Sequence, residues 1–356
     1  MSEVADAIST VPHVVIAIVA TDEAKNIVGC LGALNGSIYR EFSVVICENG
    51  GYDAFERDVQ EMAKVPGMVE ADAEADHLRG GAEGHLFHLG PDRREVTVLR
   101  SRENRGYSGG VNFCIEAAGT DWDFIWVLNP DTFPEANALG ALVRRQAEGD
   151  YGMVGSKLVF LANGRVQLWG GLKYWPLLGR SRSLGHGEPP EMTPDIREVE
   201  AALDVISGAS MFVSKAYIET VGVMDDDFFV YYEDTEWSLR RGNFRLGYAH
   251  DSVVHHVAGS TSGSAGPRPK RSRFSIYLTE RNRVMIAKKR YPAVWALFAV
   301  VALLETLELL LRFRSWRSFK IGLSGWWAGV SGEAGMPGFM RAAQGPATRA
   351  FLRRAD

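Results

Sequence analysis

The sequence predicts an α/β protein built on a doubly wound, mostly parallel sheet, and three observations indicate this fold class. Val14 to Ala20 is an unbroken apolar run, which is typical of a strand buried on both faces. Further apolar runs occur at 42–47, 96–99 and 124–128, and helical patterns lie between them. Strands that alternate with helices form a parallel sheet, because parallel neighbours need a crossover connection.

The helices of this first half are expected at 23–34 and at 113–118, where a helix continues from the Gly-rich turn 104–112. Residues 61–94 are rich in Gly, Ala, Glu and His and have no strand period. We therefore expect a helix there that runs into an exposed insertion.

The rest of the chain predicts a mixed half and then a helical tail. Short apolar runs at 152–159 and 204–213, a Gly- and Trp-rich hairpin region at 164–187 and a short helix at 216–221 make up the mixed half. A Gly/Ser/Pro linker at 260–269 follows, and helices dominate beyond it. The expected division is therefore 1–150, 151–266 and 267–356.

Charge is distributed unevenly along the chain. The whole sequence has a net charge of -5, yet residues 267–356 hold 17 Lys and Arg against 5 Asp and Glu. This tail therefore carries +12 and the remainder -17. A basic tail with aromatic and aliphatic residues predicts an anionic partner such as a membrane surface, or else packing of the tail on the acidic body.

The compartment is predicted from the cysteines and the N-terminal residues. Cys30, Cys47 and Cys114 have no metal-ligand spacing, and an odd number makes a poor disulfide framework. The first ten residues lack the basic and apolar regions of a signal peptide. We expect a cytoplasmic protein with no nucleic-acid partner.

Acidic residues follow three of the predicted strands, where ligands of doubly wound sheets bind. They are Asp22, Glu48 and Asp131, the last within Asn129-Pro130-Asp131. The turn after the first strand has no glycine, and no Gly-x-x-x-x-Gly-Lys-Ser/Thr loop occurs, which disfavours NAD-dependent enzymes and P-loop NTPases.

Each acid has a structural alternative. Glu48 could contact a nucleoside or cap the Asn49-Gly50-Gly51 turn. Asp131 could hold Mg²⁺ or Mn²⁺ against a pyrophosphate, or cap a helix that begins near Pro134. The glycines of 104–112 could let backbone amides approach an anion, or form an ordinary tight turn.

A second group of candidates lies in the mixed half. Glu233 and Asp234 are expected to begin a helix after an aromatic run. They could supply a partly desolvated carboxylate as general base, or they could be acidic residues that stabilise the helix N-terminus through its dipole. Ser207 to Ser210 could floor an acceptor pocket. His255 and His256 end an apolar run, and one of them could bind a metal, because adjacent side chains of a strand face opposite sides.

The order of these motifs resembles family 2 of the inverting glycosyltransferases, which have the GT-A fold, and within it the rhamnosyltransferase-like branch. The matching segments cover about residues 12–290. They are Glu48-Asn49, Asn104 to Asn112, Asn129-Pro130-Asp131, Ser207-Gly208-Ala209, Phe228 to Glu236, and His256 before Gly259-Ser260-Thr261. The chain departs from the family pattern at Glu48, usually Asp, at Thr21, often Asn, and in the long 61–94 insertion.

The resemblance implies a role for each matching residue. Asp131 would bind Mg²⁺ or Mn²⁺ with His256, His255 being the less favoured choice, and Asp234 would be the catalytic base with Glu233 beside it. The implied donor-binding residues are Thr21, Glu48, Asn49, Asn104, Gly106, Tyr107, Gly110, Asn112 and Asn129. The implied acceptor-binding residues are Ser207, Gly208, Ala209 and Trp237.

The resemblance also implies an activity. The expected enzyme moves rhamnose or a similar hexose, with inversion, from a nucleoside diphosphate to a saccharide or lipid-linked acceptor of a cell-surface polysaccharide. The alternatives are a nucleotidyltransferase, which would want a basic Gly-rich loop after the first strand, and a non-catalytic nucleotide- or carbohydrate-binding module.

The apolar run Pro292 to Leu311 could span a bilayer, but Glu305 and Glu308 lie within it. An interfacial helix is more favourable, since Lys288 to Arg290 and Arg312 to Arg317 flank the run. Trp316, Trp326 and Trp327 suit an interfacial belt. We therefore expect peripheral attachment to the inner face of the plasma membrane; the alternative is a tail that closes the acceptor half or a homodimer interface.

Overall fold

The computed structural model describes residues 11–71, 83–257 and 271–341. The strands are β1 (Val14–Ala20), β2 (Phe42–Glu48), β3 (Met68–Glu70), β4 (Gly84–Leu89), β5 (Arg94–Arg100), β6 (Phe124–Leu128), β7 (Thr132–Pro134), β8 (Tyr151–Phe160), β9 (Val166–Trp169), β10 (Gly171–Trp175), β11 (Arg180–Ser183), β12 (Val205–Ile206), β13 (Ser210–Ser214) and β14 (Arg245–His256). The helices are α1 (Ala24–Asn35), α2 (Tyr52–Met62), α3 (Gly106–Ala118), α4 (Ala138–Ala147), α5 (Ile196–Ala202), α6 (Lys215–Val221), α7 (Glu233–Leu239), α8 (Arg273–Arg290), α9 (Trp295–Leu311), α10 (Trp316–Ser331) and α11 (Gly338–Arg341).

One large sheet runs through both predicted halves, in the order β3-β4-β5-β2-β1-β6-β13-β8-β14-β7, with β9 paired to β8. Strands β5, β2, β1 and β6 are parallel, so their carboxyl ends share one edge. Strand β13 then enters antiparallel to β6 and β8. A small second sheet joins β11, β10 and β12.

Helices cover both faces of the large sheet, and the alternating residues of β1 show why. Val14, Ile16 and Ile18 pack into a core with α1, α2 and α4, whereas Val15 and Ala17 pack into a second core with α3, α6 and α7. All seven residues of β1 are buried, as the unbroken apolar run predicts. The three cysteines are buried free thiols within these cores.

Two sequence-based expectations need correction. The described residues of 61–94 include strands at the sheet edge, because β3 pairs with β4 and β4 with β5, both antiparallel. The apolar run 204–213 divides into β12, in the small sheet, and β13, in the large one. The predicted linker 260–269 and the motif Gly259-Ser260-Thr261 lie outside the described residues.

The helical tail packs on the mixed half. Met285 and Ile286 of α8 share a core with Phe228 and Val205, and α9 and α10 pack against α8. Over the residues described, no helix combines the length and the hydropathy needed to cross a bilayer.

Candidate functional site

The carboxyl ends of β1, β2 and β6 bring the acids of the first half to one edge of the sheet. Glu48 is the last residue of β2, Asp22 and Glu23 follow β1, and Asp131 follows β6 after Asn129 and Pro130. The predicted ligand edge therefore holds carboxyl groups from three adjacent strands.

Asp131 and His256 face each other across the end of the sheet. Because β14 pairs with β7, Oδ1 of Asp131 lies 3.2 Å from Nε2 of His256, and both side chains are 7% exposed. Nδ1 of His256 donates to Oε1 of Gln167 at 2.8 Å, which orients the ring so that Nε2 faces Asp131. This buried Nε2 makes no hydrogen bond of good geometry to the described residues. A carboxylate oxygen and an imidazole nitrogen thus face the same space.

His255 contacts a different residue, and Asp131 does not take the alternative role of a helix cap. Nε2 of His255 lies 3.0 Å from Oε1 of Glu135, on the opposite face of β14 from His256. Helix α4 begins at Ala138 after Asn137, and strand β7 separates it from Asp131. Asp131 therefore does not cap the next helix.

The surroundings of Asp131 are strongly negative. Burial, together with the carboxylates of Asp131 and Glu48, raises the pKa of Glu23 to about 8. A divalent cation at Asp131 and His256 would lower this repulsion. Two adjacent ligands of an octahedral ion at about 2.1 Å stand about 3 Å apart, which fits the pair. Across residues 11–71, 83–257 and 271–341, no group of three His, Cys, Asp or Glu side chains is placed to hold a metal, so substrate oxygens would have to complete the shell.

Glu48 does not present a free carboxylate to a donor, contrary to the prediction. It is fully buried, and its Oε1 accepts hydrogen bonds from the backbone N–H groups of Asp22, at 3.1 Å, and Gly50. Burial and a hydrogen bond to Glu48 raise the pKa of Asp58 to about 9. A proton on Asp58 lowers the repulsion between the two buried carboxyls, and Glu48 shapes the turns after β1 and β2.

The Asn104 to Asn112 motif is the start of helix α3 instead of an open anion loop. The N–H groups of Tyr107 and Ser108 point to the carbonyl of Phe229 at 2.6 and 3.3 Å, so the helix N-terminus is already occupied. Gly106 has a φ of +72°, and a Cβ there would lie 2.3 Å from the oxygen of Phe229. A Cβ at Gly110 would lie 2.6 Å from Cγ1 of Val19. The glycines serve close packing.

The asparagines predicted to bind the donor cross-link the segments of the site. Asn49 donates to the carbonyl of Gly106 at 2.9 Å, and Asn112 donates to that of Met224 at 2.8 Å. Oδ1 of Asn104 accepts the N–H of Gly106 at 2.9 Å. Asn129 accepts the hydroxyl of Thr132 through its carbonyl and is half-buried, and Thr21 is exposed. These contacts position the site; of the predicted donor residues, Thr21 is exposed, and Asn104, Tyr107, Asn112 and Asn129 are half-buried.

Glu233 and Asp234 begin helix α7, as predicted. Oδ1 of Asp234 accepts the N–H of Thr235 at 2.6 Å, and its Oδ2 accepts the N–H of Gly208 at 3.2 Å. Burial and the charge of Asp234 raise the pKa of Glu233 to about 8, and burial also raises the pKa of Asp234. Glu233 is 6% exposed, whereas Asp234 is partly accessible. The pair therefore holds a proton near neutral pH.

Tyr107 lies beside Gly208, which also contacts Asp234. Its hydroxyl donates to the carbonyl of Gly208 at 2.6 Å. Burial raises its pKa, and the carboxylates of Glu233, Asp234 and Asp131 raise it further. The backbone N–H of Asn129 donates to the carbonyl of Ala209 at 3.1 Å, so the segment that leads to Asp131 is adjacent to the turn whose Gly208 contacts Asp234.

The acceptor prediction is corrected at one residue. Trp237 is fully buried in the core against Tyr217, and its indole N–H donates to the carbonyl of Gly222 at 2.9 Å. It cannot contact an acceptor. Ser207, Gly208 and Ala209 precede β13, and Gly208 lies beside Asp234, where a Cβ would be 3.5 Å from its Oδ2.

The loop before Glu233 is held by residues that sequence reasoning missed. Phe229, Tyr231 and Tyr232 have φ values of 65°, 69° and 70°, which cost energy in residues with side chains. The amide nitrogen of Asn282 contacts the carbonyls of Phe228, Val230 and Tyr231 at 2.9, 2.9 and 2.7 Å. Arg281, also fully buried, donates to the carbonyl of Phe228 at 3.0 Å. An Arg-Asn pair inside a basic tail gives no sequence signal of this role.

More than half of the chain matches a known protein family. The model of the family described as Glycosyl transferase family 2 matches residues 15–216. A curated relative, the low-salt glycan biosynthesis hexosyltransferase Agl10 of Haloferax volcanii, is 24% identical over 200 residues, which are 54% of this chain and 60% of the relative. The chain thus spans about three fifths of that relative's length.

Two solved structures resemble the chain. GalNAc-T7 with UDP, GalNAc and Mn²⁺ aligns with a TM-score of 0.51 and 12% identity over 77% of this chain and 51% of that one. A mannosyltransferase of Pyrobaculum calidifontis, in complex with GDP-Man and Mn²⁺, aligns with a TM-score of 0.49 and 15% identity over 90% and 87%. At such identities the likeness to GalNAc-T7 concerns the fold alone, and the predicted GT-A type α/β class is confirmed.

Proposed function

Because the chain belongs to glycosyl transferase family 2, we propose that it transfers a hexosyl group from a nucleoside diphosphate sugar to an acceptor hydroxyl. The observation that carries this proposal is that the 129–131 segment, whose Asp131 faces His256, is hydrogen-bonded to the 208–209 turn, which also contacts Asp234. One group suits a metal-bound pyrophosphate and the other suits proton removal. Glycosyl transfer from an anionic leaving group needs both.

Asp131 and His256 would hold Mg²⁺ or Mn²⁺, with phosphate oxygens of the donor completing the shell. Such an ion supplies charge neutralisation for the departing diphosphate. Gln167 accepts from Nδ1 of His256 and so keeps Nε2 free for the ion. The Mn²⁺ in the GalNAc-T7 and mannosyltransferase structures supports the choice of cation.

Asp234 acts as the base in this proposal. The acceptor oxygen forms a bond to the anomeric carbon while the bond to the diphosphate breaks, and the acceptor proton passes to Asp234. One such displacement inverts the anomeric centre. Burial raises the pKa of Asp234 and so brings its basicity closer to what the reaction needs.

The proposed substrates follow from the family likeness. The named activity of Agl10, a hexosyltransferase of glycan biosynthesis, supports a hexose donor and a glycan product. We favour rhamnose, and an acceptor saccharide carried on a lipid, which would keep the enzyme at the inner face of a membrane. A nucleotidyltransferase and a non-catalytic module are disfavoured, since neither needs a base opposite the metal pair.

The metal and donor sites are tested together by thermal shift with a panel of nucleoside diphosphates, with and without Mn²⁺. A bound nucleotide raises the melting temperature by mass action, and we expect one base, dTDP first, to do so only with the metal. Asp131→Ala and His256→Ala should abolish this metal-dependent shift. His255→Ala is the matched control and should keep it. Stabilisation by no nucleotide, or loss of the shift in His255→Ala alone, would refute the proposed metal pair.

The base is tested by turnover with the donor that the panel identifies. Asp234→Asn should reduce transfer by about 10³-fold or more while the nucleotide shift stays, because the amide cannot accept the proton. Glu233→Gln should cost less, since the buried carboxyl only tunes its neighbour. If Asp234→Asn keeps wild-type turnover, Asp234 is not the base.

A further inference from the structure

The outer face of helix α9 carries four exposed aliphatic side chains. Leu297, Val300, Leu304 and Leu311 are 56%, 53%, 60% and 76% exposed, and spacings of three, four and seven place them on one side of the helix. A helix at a protein surface normally carries polar residues on that side. An exposed apolar stripe of this extent indicates an interaction surface.

The acidic residues of α9 are neutralised by arginines. Glu305 and Glu308 both pair with Arg180, Oε2 of Glu308 lying 3.1 Å from its Nη2. Thr306 and Leu309 are fully buried against α8 and α10. Glu308 lies one helical turn from Leu304, and its Oε1 also pairs with Nη1 of Arg312 at 2.8 Å, so its charge is compensated where it borders the apolar stripe.

Helix α10 lies beside α9 and extends the apolar surface. The indole N–H of Trp326 donates to the carbonyl of Ala299 at 2.8 Å, which joins the two helices. Trp316, Leu323 and Trp327 are 57%, 37% and 62% exposed and share one side of α10 with Lys320. Two of the three tryptophans predicted to form an interfacial belt are thus exposed.

Positive charge borders this surface. The exposed cations of the α9–α10 turn and of the first half of α10 are Arg312, Arg314, Arg317 and Lys320. The sequence has no Asp or Glu between 309 and 332. Self-association through the same face would bring these cations together, which is unfavourable. An apolar stripe with tryptophans and a cationic border complements a bilayer with anionic headgroups.

We propose that the outer face of α9 and α10 docks on an anionic lipid bilayer, with Leu297, Val300, Leu304 and Leu311 entering the interface and the four cations contacting lipid phosphates. This inference extends the proposed function, because docking on a bilayer would bring the enzyme to an acceptor carried on a lipid. Its biological role therefore rests on the proposed function. The docking itself needs no catalytic residue, so it can fail while transfer succeeds. The nucleotide site lies in another part of the fold.

The test is flotation of the full chain with phosphatidylcholine vesicles, with or without phosphatidylglycerol. We expect binding to the anionic vesicles, weakened by salt. Leu304→Glu should weaken it at least about tenfold, and Arg314→Ala combined with Arg317→Ala should remove the preference for phosphatidylglycerol. Ile38→Glu is the matched control, because Ile38 is 69% exposed on the first half and lies outside the proposed face.

Three results would overturn the proposal. They are no flotation of the wild type, unchanged flotation of Leu304→Glu, and a wild-type dimer that Leu304→Glu dissociates, which would assign the face to a second copy. Each variant is also measured for its metal-dependent nucleotide shift. If the wild type shows the metal-dependent nucleotide shift but does not float with vesicles, only the docking surface is refuted. If the wild type shows no nucleotide shift, the proposed function is refuted.

Discussion

At the scale of single residues, Glu48 and Asp58 show how a fully buried acid pair can shape a site without touching a ligand. Both side chains are 0% exposed, and no N–H or O–H group of the described residues reaches either carboxyl oxygen of Asp58. Two ionised carboxylates would repel each other there, so one keeps its proton. This proton holds the end of β2 and the second turn of α2 together.

We predict that Asp58→Asn stabilises the protein above neutral pH. The pKa of Asp58 is raised from 3.8 to about 9 in the folded state. The folded protein keeps the proton while the unfolded chain releases it, so the folded state loses stability as the pH rises from about 4 towards 9. Asparagine donates to Glu48 without titrating. The gain at pH 8 should be on the order of 1 kcal/mol or more and should disappear near pH 4.

Urea unfolding of the wild type and of Asp58→Asn across this pH range measures the difference. Asp53→Asn is the control, because Asp53 is an exposed carboxylate on the same helix. Its effect should stay within about 0.5 kcal/mol and should not grow with pH. A variant at Asp58 that is less stable than the wild type at pH 8 would show that the carboxyl is ionised there.

At the scale of elements, the sequence predicts the strands that carry the site and misses those that do not. Strands β1 and β6 match the apolar runs 14–20 and 124–128 residue for residue, because strands buried on both faces need unbroken apolar sequence. Strand β4 reads GHLFHL, and β3 has three residues. Such edge strands have no clear period, and the insertion was therefore not recognised as a hairpin.

The start of helix α3 could not be predicted from local sequence. Glycines at 106, 109 and 110 disfavour a helix, and the prediction began it at 113. The helix begins at Gly106 because Phe229 accepts its first N–H groups and Val19 leaves no room for a side chain at Gly110. Both partners come from distant parts of the chain.

The same reasoning separates the site residues that were predicted from those that were missed. Asp131, His256 and Asp234 follow strands or open a helix, and such positions can be recognised from sequence. Gln167 and Asn282 act through tertiary contacts with His256 and with the loop before Asp234. No local pattern predicts such contacts.

At the scale of the whole molecule, the C-terminal quarter of the chain is joined to the proposed catalytic centre. Helix α8 contacts the 225–231 segment through Lys289, whose Nζ lies 2.5 Å from Oδ2 of Asp225, and through Arg281 and Asn282. The family model ends at residue 216, before this segment. A tail expected to serve the membrane or an interface therefore also completes the loop that leads to Asp234.

This connection predicts that Asn282→Ala lowers turnover without lowering donor affinity. The variant removes the side-chain amide that contacts three carbonyls of this loop, in which several residues have positive φ. Without these hydrogen bonds the loop relaxes, and Asp234 loses its fixed position. We expect kcat to fall at least about tenfold, which corresponds to about 1.4 kcal/mol. The metal-dependent thermal shift by the nucleotide should persist, because Asp131 and His256 lie on other elements.

A general loss of stability would give a different pattern from the loss of a fixed loop. The variant Glu333→Gln distinguishes these two explanations. Glu333 accepts the hydroxyl of Tyr277 at 2.9 Å and pairs with Arg281, so it contacts α8 but not the 228–232 loop. The variant Glu333→Gln should lower the melting temperature with little effect on kcat. Hydrogen exchange at 228–234 should accelerate in Asn282→Ala and not in Glu333→Gln, because only the first variant frees the loop carbonyls. Equal losses of kcat in the two variants, or unchanged exchange in Asn282→Ala, would mean that α8 supports the fold without positioning the base.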